Sequence, residues 1–231
     1  MKLEVLNLKK KFGEKEVLKN INFTFESGKI YGLLGRNGAG KTTFFNCLNE
    51  DILPDEGTFN IVTESSRPLT IDDIGYVLST PVVPEFLTGR EFLKFFLEIN
   101  EGKIKNEKTI DEYFDFMKIE EEDRDKLLKD YSHGMKNKMQ MLINIIASPN
   151  ILLLDEPLTS LDVVVAEEMK EILRSIKTEH ILIFSTHIMD LALSLCDEII
   201  ILKDGNLTLV DKNLKGEKLK NKIMEILSED K

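Results

Sequence analysis

The sequence contains no apolar run approaching the ~20 residues that a membrane-crossing helix requires. Its first residues, Met1-Lys2-Leu3-Glu4, lack the apolar core of a secretion signal, so a cytosolic location is expected. Cysteine is scarce: Cys47 and Cys196 stand far apart without metal-ligand spacing, and both are expected to be reduced packing residues. The three histidines form no cluster. Positive charge is in deficit, since 31 lysines and arginines against 41 aspartates and glutamates leave a formal charge of −10. Nucleic-acid surfaces need a basic face, so no nucleic-acid partner is expected. Lys9-Lys10-Lys11, the one basic run, reads as a solvated strand end, and Glu120-Glu121-Glu122-Asp123 as a solvated helix start. No internal repeat, low-complexity linker or heptad insertion is present.

What is there is 231 residues with 42% hydrophobic content, enough for one large α/β domain with a substantial core or for two small ones. Apolar residues in 3–8 and 17–25 suggest half-buried strands, continued by residues 58–63, so an antiparallel sheet is expected early in the chain. Ile74-Gly75-Tyr76-Val77-Leu78 reads as a further strand ended by Ser79-Thr80-Pro81. From Thr88 to Ala147 the period is helical, with Phe92, Phe95, Phe96 and Ile99 on one face and Met135, Met139, Leu142 and Ile146 on another. That block reads as a helical subdomain inserted at approximately residues 86–147. Ile151 to Leu154 and Ile181 to Phe184 are continuous apolar runs, as central parallel strands should be, with an amphipathic helix between them. Asp204-Gly205-Asn206 marks a hairpin, and a lysine-rich amphipathic helix closes the chain.

Residues 35–42, Gly35-Arg36-Asn37-Gly38-Ala39-Gly40-Lys41-Thr42, fit G-x-x-x-x-G-K-[ST] between the expected strand Lys29 to Leu34 and a helix beginning near Lys41. Glycines at 35, 38 and 40 let successive backbone N–H groups close around phosphate oxygens, and a helix N-terminus adds unpaired donors. Lys41 supplies an ammonium for the outer phosphates, the Thr42 hydroxyl can ligate Mg²⁺, and Thr43 can donate to an inner phosphate. Asp155 and Glu156 follow the strand Ile151 to Leu154. An acid there can reach Mg²⁺ through a water, and Glu156 is placed to orient or deprotonate an attacking water.

These motifs, taken together, make the chain resemble the nucleotide-binding subunit of an ATP-binding cassette (ABC) transporter over all 231 residues. Tyr131-Ser132-His133-Gly134-Met135-Lys136 resembles the family signature L-S-G-G-Q. The resemblance implies that Ser132 and Gly134 press on the γ-phosphate of ATP held by a second subunit, while Ser132 can also cap its own helix. Leu158-Thr159-Ser160-Leu161-Asp162 resembles the loop that crosses the dimer interface, and His187 in Ser185-Thr186-His187 the switch histidine that contacts the γ-phosphate. Phe12 matches the aromatic that stacks on adenine, although a core ring is an alternative. Two residues depart from the family: Ser79 stands where Gln usually approaches Mg²⁺ and water, and His133 replaces the first signature glycine.

The resemblance implies a single ABC domain over residues 1–231: a phosphate-loop core with a mostly parallel sheet, an antiparallel β subdomain and the helical insertion. It further implies ATP and Mg²⁺ as ligands, a homodimer or heterodimer, and a separate membrane permease holding the subunit at the inner face of the cell membrane. Signature and C-terminus resemble exporters of peptides or drugs. Alternatives are a soluble ABC ATPase, such as one in iron–sulfur cluster assembly, and a non-hydrolysing ATP-binding regulator.

Overall fold

Two sheets carry the fold in this computed structural model, which describes residues 1–104, 108–159, 161–211 and 213–228. The chain runs through β1 (Lys2–Phe12), β2 (Lys15–Glu26), β3 (Ile30–Leu34), α1 (Lys41–Leu48), β4 (Glu56–Val62), β5 (Ser66–Pro68) and β6 (Ile74–Val77). A helical block follows, α2 (Gly89–Ile99), α3 (Ile110–Phe116), α4 (Glu121–Arg124) and α5 (His133–Ala147). The remainder is β7 (Ile151–Asp155), α6 (Val163–Ile176), β8 (Ile181–Thr186), α7 (Met189–Leu195), β9 (Glu198–Lys203), β10 (Asn206–Leu209) and α8 (Glu217–Ser228). Residues 105–107 of the expected helical block and Ser160 of the interface-loop motif lie outside the described residues.

The first sheet is antiparallel, in the order β2-β1-β4-β5; the second has the order β10-β9-β3-β8-β7-β6, and all its pairs are parallel except the β9–β10 hairpin. In β7 and β8, alternate residues enter different cores. Ile151, Leu153, Ile181 and Ile183 pack toward α1 and the antiparallel sheet, whereas Leu152, Leu154, Leu182 and Phe184 pack toward the helical block. Burial on both faces explains why these strands are unbroken apolar runs. The same period of two places Asp155 and Ser185 on the face shared by Leu153 and Ile183, toward α1.

One expectation about α2 needs correction. Phe92, Leu93 and Leu97 are buried, but Phe95 and Ile99 are 54% and 58% exposed, so the four aromatic and branched residues do not form one packed stripe. At 100° per residue the buried arc centres about 120° away from the Phe95–Ile99 edge. The apolar surface of α2 is therefore wider than the surface it packs.

A buried charge ties the two sheets together. Asp73, 4% exposed just before β6, accepts both guanidinium branches of Arg67 at 2.6 and 2.7 Å, the Thr70 backbone N–H and hydroxyl at 3.0 Å, and the Asn150 amide at 2.5 Å. Arg67, then these neutral donors, hold the Asp73 carboxyl well below the usual carboxylate range against the opposing cost of burial. Asp73→Ala should cost about 2–3 kcal/mol, less than a fully buried pair because Arg67 can still reach water. A folded-state pKa depressed in this way gives stability that is present above the unfolded value of about 4 and is lost as pH falls toward the folded one. Thermal melts of wild type and Asp73→Asn should therefore differ by a constant amount from pH 7 to about pH 4 and converge only below it.

Candidate active site

Between β3 and α1 the chain must turn at the carboxyl edge of the parallel sheet, and Gly40 makes the last step of that turn. Its φ of 104° is left-handed, and a Cβ there would lie 2.8 Å from Val17 Cγ1. No side chain caps α1, so its leading N–H groups are left for an anion. Asn37, Gly38, Gly40, Lys41, Thr42 and Thr43 line a recess of about 480 Å³ together with Phe12, Lys15, Val17 and Glu156. Gly35 and Ala39 lie outside that lining. A Cβ on Gly35 would sit 2.8 Å from Leu202 O, and Ala39 N–H closes the loop on Arg36 O at 3.0 Å. Phe12 is 49% exposed with Lys10 Nζ 5.4 Å from its ring centre, so the core-ring alternative fails.

Lys41 is buried, donating to Gly35 O at 2.9 Å and standing 3.7 Å from Glu156 Oε1. The Thr42 hydroxyl donates to Asp155 Oδ2 at 3.0 Å, which leaves its lone pairs free for a cation. Asp155 Oδ1 receives the Ser185 hydroxyl at 2.5 Å. Glu156 has a left-handed φ of 48° and turns its carboxylate to His187, whose Nδ1 lies 3.0 Å from Oε1 and 2.8 Å from Oε2. The Thr159 hydroxyl donates to Glu156 Oε2 at 3.3 Å. Hence Lys41, Thr42, Asp155, Glu156 and His187, scattered over nearly 150 positions of sequence, form one continuous polar cluster at the ends of β3, β7 and β8.

Glu156 also lines a second recess of about 460 Å³ with Ser79, Thr80, His133 and Thr159. Ser79 is thus brought beside Glu156 rather than among the residues of the phosphate-loop recess that contain Thr42. Ser132 caps α5 by accepting Met135 N–H at 3.2 Å, and Gly134 lets α6 approach, a Cβ there lying 3.2 Å from Val165 Cγ1. Neither lines a recess with this chain's own phosphate loop. The sequence motifs assign no role to Ser185, whereas Thr159 stands in the interface-loop motif and Thr80 in the turn that ends the strand Ile74 to Leu78. Ser185 was visible only as a polar residue in an apolar strand two positions before His187.

Volume alone does not select this site. A recess of about 410 Å³ near β2 and β9 holds Lys29, Glu26 and Glu198, but these charges pair with one another at 2.9–3.0 Å. The donor set at Thr42 and Asp155 suits a hard cation that keeps waters and takes substrate phosphates, not one caged by protein. Among the described residues no three Asp, Glu, His or Cys side chains form a metal cage. Burial pushes the Cys47 thiol up to about 11 and Cys196 well above its ordinary range, so both stay protonated packing groups.

The sequence model of the family described as ABC transporter matches residues 18–159. An uncharacterized ABC transporter ATP-binding protein of Methanocaldococcus jannaschii is 37% identical over 207 residues, covering 88% of this chain and 75% of that protein. The bacitracin transport ATP-binding protein of Enterococcus faecalis is 31% identical over 210 residues, covering 89% of this chain and 67% of that protein. Among solved structures, a dimeric ATP-binding cassette in a post-hydrolysis state with ADP and phosphate superposes with a TM-score of 0.74 at 22% identity, over 90% of this chain and 99% of that one.

Proposed function

Because the chain belongs to the ABC transporter family and is an ATP-binding cassette ATPase, we propose that it is the energy-coupling subunit of a transporter, working as a homodimer or heterodimer on a separate membrane permease. The observation that carries this reading is the position of Glu156, which contacts Lys41 and His187 and lines both recesses. MgATP, when bound, supplies the phosphoryl group and a cation that offsets its charge. Lys41 and the backbone of residues 35–43 hold the phosphates, Thr42 and Asp155 hold the cation, and Phe12 offers a ring face to the base. Glu156 takes or orients the proton of the attacking water, and His187 fixes its carboxylate. Ser79, beside Glu156, is shorter than the usual glutamine and would approach the cation and the attacking water only through a further water. Ser132 and Gly134, which line no recess with their own phosphate loop, serve the nucleotide of the second subunit.

Among the described residues no helix is long and apolar enough to cross a membrane. On this reading a separate permease supplies the path, and large apolar side chains are available to it: Val82 and Phe86, 67% and 80% exposed, precede α2, whose own outer edge presents Phe95 and Ile99. Val82 and Phe86 follow Ser79 and Thr80, which line the recess of Glu156, so a permease held at these two side chains would be linked to that recess through one short segment. We place the subunit at the inner face of the cell membrane through that contact. The bacitracin relative supports peptides or drugs as the exported class. The test is co-purification from mild detergent with a multi-span membrane protein. Phe86→Asp should abolish it while leaving ATP affinity within about twofold, since Phe86 does not line the nucleotide recess. Retained co-purification would move the docking face elsewhere, and failure of wild type to bring down any multi-span protein would favour a soluble ATPase.

A further inference from the structure

We infer that Ser185 is a positioning residue for both acidic groups of the site, an inference that rests on the roles given above to Asp155 and Glu156. β7 and β8 pair in parallel with Asp155 opposite Ser185, and Ser185 has no exposed surface. A serine hydroxyl has one proton to give and two lone pairs to offer. Here the proton goes to Asp155 Oδ1 at 2.5 Å, and the oxygen accepts Glu156 N–H at 3.1 Å. A single hydroxyl therefore grips the side chain of one acid and the backbone of the next.

The two oxygens of Asp155 are divided between partners of different character. Oδ2 receives Thr42, which sits on the first turn after the phosphate loop, where nucleotide and cation act directly. Oδ1 receives Ser185, which belongs to a strand buried along its whole length. The carboxylate plane is thus held from the strand side whatever happens on the loop side. Glu156 needs a comparable restraint, because a left-handed backbone at a residue with a side chain persists only where its surroundings impose it. Its N–H is bonded to Ser185 twice, to the hydroxyl at 3.1 Å and to the backbone carbonyl at 3.2 Å. From that turn the side chain meets His187, two residues beyond Ser185 on the same chain segment. The end of β8 consequently sets both acids at once: the one that faces the cation through Ser185, and the one that faces water through Ser185 and His187.

Removing an outer-layer hydrogen bond to a metal-facing carboxylate typically lowers metal affinity or turnover about 10- to 100-fold. With the purified full chain, ATP affinity is measured by equilibrium binding in EDTA and in Mg²⁺, alongside steady-state hydrolysis and melting temperature. Ser185→Ala should keep Mg²⁺-free ATP affinity within about twofold, lose about tenfold of the Mg²⁺-dependent gain, and lose about tenfold in kcat with little change in KM. Ser185→Thr retains the hydroxyl and should recover most of both. Ser185→Cys keeps the size but donates weakly and should not, so the Thr and Cys pair decides the matter even where the alanine variant does not fold. The inference is overturned if Cys matches Thr, or if every variant loses Mg²⁺-free binding in step with its melting temperature, which is the behaviour of a packing residue. Asp155→Asn in the same assay separates the two levels. If it loses the Mg²⁺-dependent gain while Ser185→Ala does not, only the role of Ser185 falls; if it keeps that gain, the reading of Asp155 falls and that of Ser185 with it.

Discussion

Glu156→Gln should bind ATP as tightly as wild type and hydrolyse it at least about a hundredfold more slowly, the lower end of what a positioned general base contributes. The amide keeps the length and shape of the carboxylate, so it still fills the space between Lys41 Nζ at 3.7 Å and His187 Nδ1 at 2.8 Å. It can still accept the Thr159 hydroxyl, which now reaches Oε2 at 3.3 Å. What it cannot do is accept a proton from water at neutral pH. Phosphoryl transfer leaves little covalent chemistry to the protein, so losing the carboxylate that lines both recesses should be felt in kcat rather than in binding. With hydrolysis blocked, a nucleotide-bound dimer should accumulate, visible as a shift in elution volume that appears with MgATP and not with MgADP. Single-turnover hydrolysis checks the chemical step directly. Turnover near wild type would remove Glu156 from the reaction and leave its contacts with Lys41 and His187 as an ion-pair network only.

The parts of this site that sequence made legible are those in which one short segment suffices. The phosphate loop declares itself because left-handed turns need glycine and an anion needs backbone N–H groups, and both requirements are local. β7 and β8 are legible because burial on two faces demands uninterrupted apolar residues. Ser185 was not legible as a partner of Asp155, since the pairing depends on the parallel register of two strands separated by a helix. Nor were the true lengths of β1 and β2, which extend past the alternating stretches because shifts in register between them break the alternation near Val5 and Leu8. The outward turn of Phe95 and Ile99 in α2 escaped for the opposite reason. Periodicity measures how apolar an arc is, while the neighbours of that arc decide whether it is covered.

Lys41→Ala should weaken ATP binding about 10- to 100-fold, the range expected when a charge-assisted contact worth about 1.5–3 kcal/mol is removed. The ammonium donates to Gly35 O at 2.9 Å and Arg36 O at 3.4 Å, with Glu156 Oε1 at 3.7 Å. Outer phosphates carry more charge than two carbonyls, so exchanging one set of acceptors for the other is favourable, and alanine forfeits that exchange. The loop itself should survive, because the left-handed Gly40 and the uncapped start of α1 do not depend on the lysine side chain. Adenosine and AMP, which lack the outer phosphates, should therefore bind wild type and variant almost equally, whereas ATP and ADP should discriminate between them. Equilibrium titration of the four ligands reads this directly. If ATP affinity is unchanged in the variant, the backbone cradle holds the nucleotide without the ammonium, and Lys41 acts only on charge that develops during transfer. If instead all four ligands weaken together, the substitution has disturbed the loop, and a fall in melting temperature should accompany it.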